Sequence, residues 1–297
     1  MLAPGAGLSA AGARIPHLHR HGHFRTHEGG RRMSARFLCI GTHHKTGTIW
    51  MRKVFRAIQR DQDIPFMQCY RAKRLADAAE TGPQIIVNWS SSFPRELMDM
   101  DHARFLHIIR DPRDVLLSGM RYHRIAPLGN EKFLREKRDE WDGKNYQDHL
   151  NALPDDLARL MFEMEHKHDK TVQEMLKWPY GHPRAADVKY EDLIEDEDCS
   201  QFRGILEDFA IEGLDIDRAV QCYWDLSLFG GLKKDSDREE RVQLHVSSGA
   251  KAQWVTKLPR EIAEPYADRY GDALKALGYA ENDDWVAQCR PMADIAA

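Results

Sequence analysis

The segment Gly41-Thr-His-His-Lys45-Thr46-Gly47-Thr48-Ile49-Trp50 gathers the residue types that hold an anion. A short apolar run from Arg36 to Gly41 leads into it, and Trp50, Val54, Phe55 and Ile58 follow at helical spacing. The pattern reads as strand, turn and helix. Such a turn aims backbone N–H groups and a helix N-terminus at a ligand, here beside a lysine. The order differs from the Walker pattern G-x-x-x-x-G-K-[ST], because Lys45 precedes Gly47. The ammonium therefore belongs to the loop and not to the helix, which disfavours a nucleotide kinase or ATPase. A second cluster runs from His107 to Ser118, with Arg110 at a predicted strand end and Ser118 one turn into the next helix. An arginine and a serine converging there can grip a second phosphate. Pro112 suits the start of that helix.

These residues need a scaffold, and the pattern supplies one. Predicted strands cover Arg36–Gly41, Gln84–Asn88, Arg104–Ile109 and Ala186–Tyr190. Helices are expected over Asp114–Tyr122, Asp155–Lys177, Cys199–Ala210, Ile216–Leu226 and about Pro259–Leu277, the last ending at Gly278. Strand alternating with helix implies a parallel sheet covered on both faces, a single three-layer α/β domain over residues 33–297. Ligands of such sheets bind beyond the carboxyl ends of the strands, where these motifs fall.

Composition narrows the class. The chain has 297 residues, 43 Lys plus Arg against 47 Asp plus Glu, and a formal charge of −4. That balance disfavours a general nucleic-acid binder, and no apolar run is long enough to span a bilayer. Five scattered cysteines, Cys39, Cys69, Cys199, Cys222 and Cys289, form no C-x-x-C pair and fit reduced thiols in a cytoplasmic protein. Residues 1–32 stand apart, with five arginines against Glu28 and five of the 15 histidines. This basic arm is expected to be disordered. It reads as an adventitious metal-binding tract, a transit peptide, or a mis-called start upstream of Met33.

Together the two motifs resemble the sulfotransferases that use 3′-phosphoadenosine 5′-phosphosulfate (PAPS). Lys45-Thr46-Gly47-Thr48 with Trp50 is similar to the family's 5′-phosphosulfate loop, P-K-[ST]-G-T-[ST]-W. Arg110 through Ser118 is similar to its 3′-phosphate motif, R-x-P-R-D-x-x-x-S. The likeness continues in order through Val188–Leu193, Ser227-Leu-Phe229, Gly249–Trp254 and Tyr270–Tyr279. The resemblance implies a P-loop-like PAPS site. Lys45, Thr46, Gly47, Thr48, Ile49 and Trp50 would take the 5′ end. Arg110 and Ser118 would take the 3′-phosphate. Tyr190, Trp50 and Phe229 would enclose adenine, with Ser227, Ser248 and Gly249 completing the cofactor contacts.

The implied chemistry is in-line transfer of a sulfuryl group to a hydroxyl or amine, with Lys45 stabilising the leaving oxygen and no metal required. The acceptor is a small molecule, lipid or carbohydrate. Its pocket is expected along Asp61–Pro83 and Arg121–Leu153, with Phe133, Trp141 and Tyr146 either walling it or packing beneath it. Two departures stand out. Many members carry a histidine just after the second strand, where this chain has Val87-Asn88-Trp89-Ser90. His43 and His44 on the loop are the replacement candidates for general base, His44 being preferred; plain hydrogen bonding within the loop is the alternative. The late segment reads Ser247-Ser248-Gly249 where the family often places an arginine, with Lys251 available to compensate. His107 reads as a satisfied core histidine and His166 and His168 as solvated; a surface charge cluster at Arg113 and Asp114 is the weaker alternative to phosphate binding by the Arg110 motif. A PAPS-binding protein without a base, or a P-loop kinase, are the rival functions.

Overall fold

The computed structural model describes residues 35–129, 131–227 and 251–295. Phe229, Ser248, Gly249 and the arm 1–32 lie outside the described residues.

Five strands form one parallel sheet: β1 (Phe37–Gly41), β2 (Phe66–Gln68), β3 (Gln84–Asn88), β4 (Ala103–Ile109) and β5 (Ala185–Lys189), in the order β2-β3-β1-β4-β5. Four of them lie within a residue of the predicted limits. The sequence pattern misses β2, because three residues are too few to show alternation. Tyr190 does not end a strand; it opens the short helix Tyr190–Ile194.

The central strands are buried on both faces. Leu38, Ile40, Ile85, Val87, Leu106 and Ile108 pack into one core, whereas Phe37, Cys39, Ile86 and Phe105 point into another. The first core is closed by α1 (Thr48–Gln62), α5 (Ser200–Phe209) and α6 (Ile216–Asp225). Beyond β4, a further core joins α2 (Pro112–Ile125), α3 (Asp156–Glu163), α4 (Asp169–Leu176) and α7 (Arg260–Ala276). The three-layer α/β architecture is thus observed. β1 lies between β3 and β4, so the crossovers part on either side of it, and its carboxyl end opens a crevice.

The helix expected over Asp155–Lys177 is interrupted. A π-helical turn, Met164–His168, links α3 to α4. The wider turn rotates the following residues about the axis. His168 consequently faces α7, is 1% exposed, and its Nε2 lies 2.9 Å from the Tyr266 hydroxyl. The expectation that it is solvated is therefore incorrect. His166 is half-buried, with Nδ1 2.8 Å from the Phe162 carbonyl. Trp141 and Tyr146 are buried with Leu134, Leu150 and Phe162, so they pack beneath the surface and do not wall an open pocket. Among the described residues no helix is long and apolar enough to cross a membrane.

Candidate active site

The loop after β1 is held by its own threonines. Thr46 is fully buried; its Oγ1 accepts from the His43 amide at 2.8 Å and lies 3.0 Å from the His43 carbonyl. Thr48 Oγ1 donates to that same carbonyl at 2.8 Å, so the hydroxyl of Thr42, 2.7 Å away, donates to Thr48. The side chain of Thr46 thus shapes the loop and is not presented to a ligand. Lys45 adopts φ +64° and Gly47 φ +93°. A Cβ on Gly47 would sit 2.9 Å from Cδ2 of Tyr190, so both conformation and space require glycine.

α1 begins at Thr48 with no side-chain cap and no acid in its first turn, which leaves first-turn N–H groups for an anion. Ile49, 55% exposed, belongs to this turn. Lys45 Nζ lies 4.0 Å from the centre of the Tyr122 ring. Burial, then the nearby Arg110, pulls the Lys45 pKa down to about 8. Arg110 leaves the end of β4, is 3% exposed, donates to the Lys45 carbonyl at 3.3 Å and rests 4.8 Å from the centre of the Tyr190 ring. The half-buried Lys45 and the buried Arg110 therefore lie close enough to repel, and an anion between them would relieve that repulsion. Ser118 is half-buried on α2.

The residues following Arg110 build the frame. Asp111 caps α2 through the Arg113 amide and pairs with the Arg113 guanidinium at 2.7 Å. Arg113 also donates to the Tyr279 carbonyl at 3.0 Å and stacks 3.7 Å from the Trp254 ring centre. Asp114, 1% exposed, accepts from the Trp254 amide at 2.9 Å. The alternative of a surface charge cluster falls away, since Arg113 and Asp114 are both buried: α2 is covered by the segments carrying Trp254 and Tyr279. Glu191 accepts from the Asp111 amide at 2.9 Å and the Tyr279 hydroxyl at 3.1 Å, and burial raises its pKa to about 7. The late motifs thus brace the Arg110 turn.

Two of the three aromatic residues expected at adenine, Trp50 and Tyr190, lie against each other. Trp50 stands edge-on to Tyr190, with ring centres 6.1 Å apart, and its Nε1 donates to the Leu226 carbonyl at 2.9 Å. That contact brings Ser227 to the same side; its hydroxyl donates to the Trp224 carbonyl at 2.9 Å. Lys251 pairs with Glu195 at 2.6 Å.

The histidines divide. His43 is fully buried, with its Nε2 2.9 Å from His107 Nε2. His107 in turn donates from Nδ1 to Asp187 at 3.0 Å and stacks on Trp178. His107 is the satisfied core histidine expected, and His43, 0% exposed, belongs to the same core network. His44 remains partly exposed. Its Nε2 lies 2.9 Å from His123 Nε2, and its Nδ1 lies 3.7 Å from Glu131. Burial, followed by Lys167, His123 and Lys45, holds it neutral, well below the usual histidine range. Asn88, at the position of the missing histidine, is saturated: its amide donates to the Cys69 and Ser92 carbonyls at 2.8 Å and its Oδ1 accepts from Ser90 and Ser92. Sequence reading missed Tyr122, His123, Glu131 and Glu163, which no local spacing links to the loop.

No curated protein matches the chain in sequence. Among solved structures, a mouse sulfotransferase, SULT7A1, complexed with PAP is 13% identical, with 82% of this chain and 84% of that chain covered and a TM-score of 0.47. Retinol dehydratase in complex with retinol and PAP is 14% identical, with 82% of each chain covered and a TM-score of 0.43. A retinol dehydratase with androsterone and inactive cofactor PAP is 15% identical over 82% of each chain, with a TM-score of 0.40. A family model described as a sulfotransferase domain matches residues 37–278, the span that carries the loop, the Arg110 turn and their braces, and the chain belongs to that sulfotransferase family.

Proposed function

We propose that this protein transfers the sulfuryl group of PAPS to a hydroxyl or amine of a small-molecule, lipid or carbohydrate acceptor by direct in-line displacement. The observation that carries the reading is the proximity of two cations, the half-buried Lys45 and the buried Arg110, on a loop that leads into an uncapped helix N-terminus. PAPS carries anionic groups at both ends of adenosine, and this arrangement offers a separate partner for each. The acceptor oxygen bonds to sulfur as the bond from sulfur to the 5′-phosphate oxygen breaks. The electron pair stays on that oxygen, where Lys45 and the first-turn amides stabilise it. The acceptor proton goes to His44. Trp50 and Tyr190 would hold adenine. The five free cysteines suit a cytoplasmic setting.

Calorimetry with adenosine 3′,5′-bisphosphate (PAP) and with AMP tests the site, and labelled PAPS incubated with cell extracts tests transfer. PAP is expected to bind more tightly than AMP and label is expected on an organic product. Absence of PAP binding overturns the reading. The saturated Asn88 favours one alternative, a PAPS-binding protein without turnover; PAP binding with no transfer over a broad acceptor panel would establish it.

A further inference from the structure

His44 does not stand alone. Its Nε2 faces the Nε2 of His123 at 2.9 Å, with ring planes 15° apart and ring centres 4.9 Å apart, so the imidazoles meet edge to edge. His123 is fully buried, and its Nδ1 lies 2.7 Å from Glu163 Oε2. Glu163, 1% exposed, also accepts from the Tyr146 hydroxyl at 2.8 Å. With a neutral imidazole at His123, one protonation pattern satisfies this chain. The carboxylate accepts only, so His123 carries its proton on Nδ1 and leaves Nε2 as an acceptor. His44 must then donate from Nε2, which leaves its Nδ1 a bare lone pair. That atom faces Glu131 Oε2 at 3.7 Å, two acceptors with no proton between them. A donor hydroxyl belongs at such a place.

We propose that Glu163, Tyr146 and His123 are positioning residues that fix the tautomer of His44, so that His44 Nδ1 takes the acceptor proton. The inference rests on the sulfotransferase reading. As the acceptor oxygen bonds to sulfur, its proton passes to His44 Nδ1. The resulting imidazolium is shared along the N–H···N bond with His123, and the buried Glu163 side chain accepts from the far nitrogen of His123. The charges around His44 come from four segments: Lys45 on its own loop, His123 on α2, Glu131 after α2, and Lys167 on the π turn. The lysines disfavour a cation there, and Glu163 opposes them through His123. The π turn has a role in this, since it follows directly on Glu163 at the end of α3 and brings Lys167 toward the same pocket.

His44, His123 and Glu131 are also the one set of three metal-competent side chains among the described residues, with ligand atoms within 4.8 Å of one another. The edge-to-edge imidazoles favour a shared proton between the Nε2 atoms over an ion.

The test uses the full chain with ¹⁵N-labelled histidine. Long-range ¹H–¹⁵N spectra are expected to show His44 protonated on Nε2 and His123 on Nδ1. Glu163→Gln keeps the shape and removes the charge, and is expected to shift the acid limb of the sulfuryl-transfer rate to lower pH. It should reduce kcat toward the roughly 10²–10⁴-fold loss expected of His44→Gln. Transfer is assayed from labelled PAPS to 2-naphthol or, if that is not accepted, to water. Calorimetric PAP affinity should stay within about twofold in Glu163→Gln, and Glu163→Asp should restore part of kcat. The opposite His44 tautomer, or an unshifted pH limb in Glu163→Gln, overturns the inference while PAP binding leaves the sulfotransferase reading intact. Stoichiometric zinc binding that His44→Gln abolishes would also overturn it, in favour of a metal centre. Loss of PAP binding in the unmodified protein would instead sink the sulfotransferase reading.

Discussion

Gly47→Ala should damage both the stability of the fold and the anion site. Gly47 has φ +93°, and an added Cβ would approach Tyr190 Cδ2 to 2.9 Å and Cε2 to 3.2 Å. Placing an L-residue in the left-handed region costs about 1–2 kcal/mol. Overpacking a filled site costs about 1–3 kcal/mol more. The sum, about 2–5 kcal/mol, corresponds to a drop of about 4–20 °C in Tm for a domain of this size. The ring cannot move freely, because Arg110 lies on it and Trp50 meets its edge. Relief must therefore come partly from the loop, displacing the first-turn amides of α1. Losing one charge-assisted contact of about 1.5–3 kcal/mol weakens PAP roughly 10- to 150-fold. Thermal unfolding and calorimetry read the two effects. Tyr190→Leu in the same chain removes the clash but not the backbone strain, so the double variant should recover about 1–3 kcal/mol relative to additivity. If Gly47→Ala melts within about 2 °C of the parent and binds PAP equally well, the close approach of loop and ring is not what shapes the site.

Arg110→Gln is expected to weaken PAP roughly 10- to 150-fold while changing AMP affinity far less, measured by calorimetry. Lys45, with its pKa lowered to about 8, is charged below that value and neutral above it. PAP affinity of the free protein should therefore be full below about pH 8 and decline as pH rises through it, and Lys45→Gln should flatten that decline. Thr46→Val leaves the His43 amide without its acceptor and should cost about 1–3 kcal/mol in chemical unfolding, whereas Thr46→Ser should retain most of the stability. Burial raises Asp114 from 3.8 to about 6, so its contribution to stability is present at low pH and is lost as pH rises through about 6. Asp114→Asn keeps an acceptor for the Trp254 amide and should raise Tm relative to the parent at pH 7.5 but not below the unfolded-state value of 3.8, read by differential scanning calorimetry.

Four of the five strands and the strand–turn–helix loop after β1 follow from apolar runs ending at turn residues, since both signals act over a few neighbours. Gly278 ends α7 with φ +71°, as its position implies. The errors have a common origin. His168 turned inward because a π turn shifts the helical phase, and no residue in Met164–His168 announces that shift. The burial of Arg113 and Asp114 has no local signal either, because the segments that cover them, around Trp254 and Tyr279, are 140 to 166 residues away.

The same distinction runs through the site. The sequence by itself determined the family, four of the five strands and the two turns that carry Lys45 and Arg110, because each of those signals lies within a few neighbouring residues. Only the tertiary structure decided the state of His44. Its partner His123 is 79 residues distant and Glu163 a further 40, and the protonation of each ring is set by the atom it meets. A hydrogen-bond chain assembled from three segments has no local signature; it exists only once packing brings His44, His123 and Glu163 together.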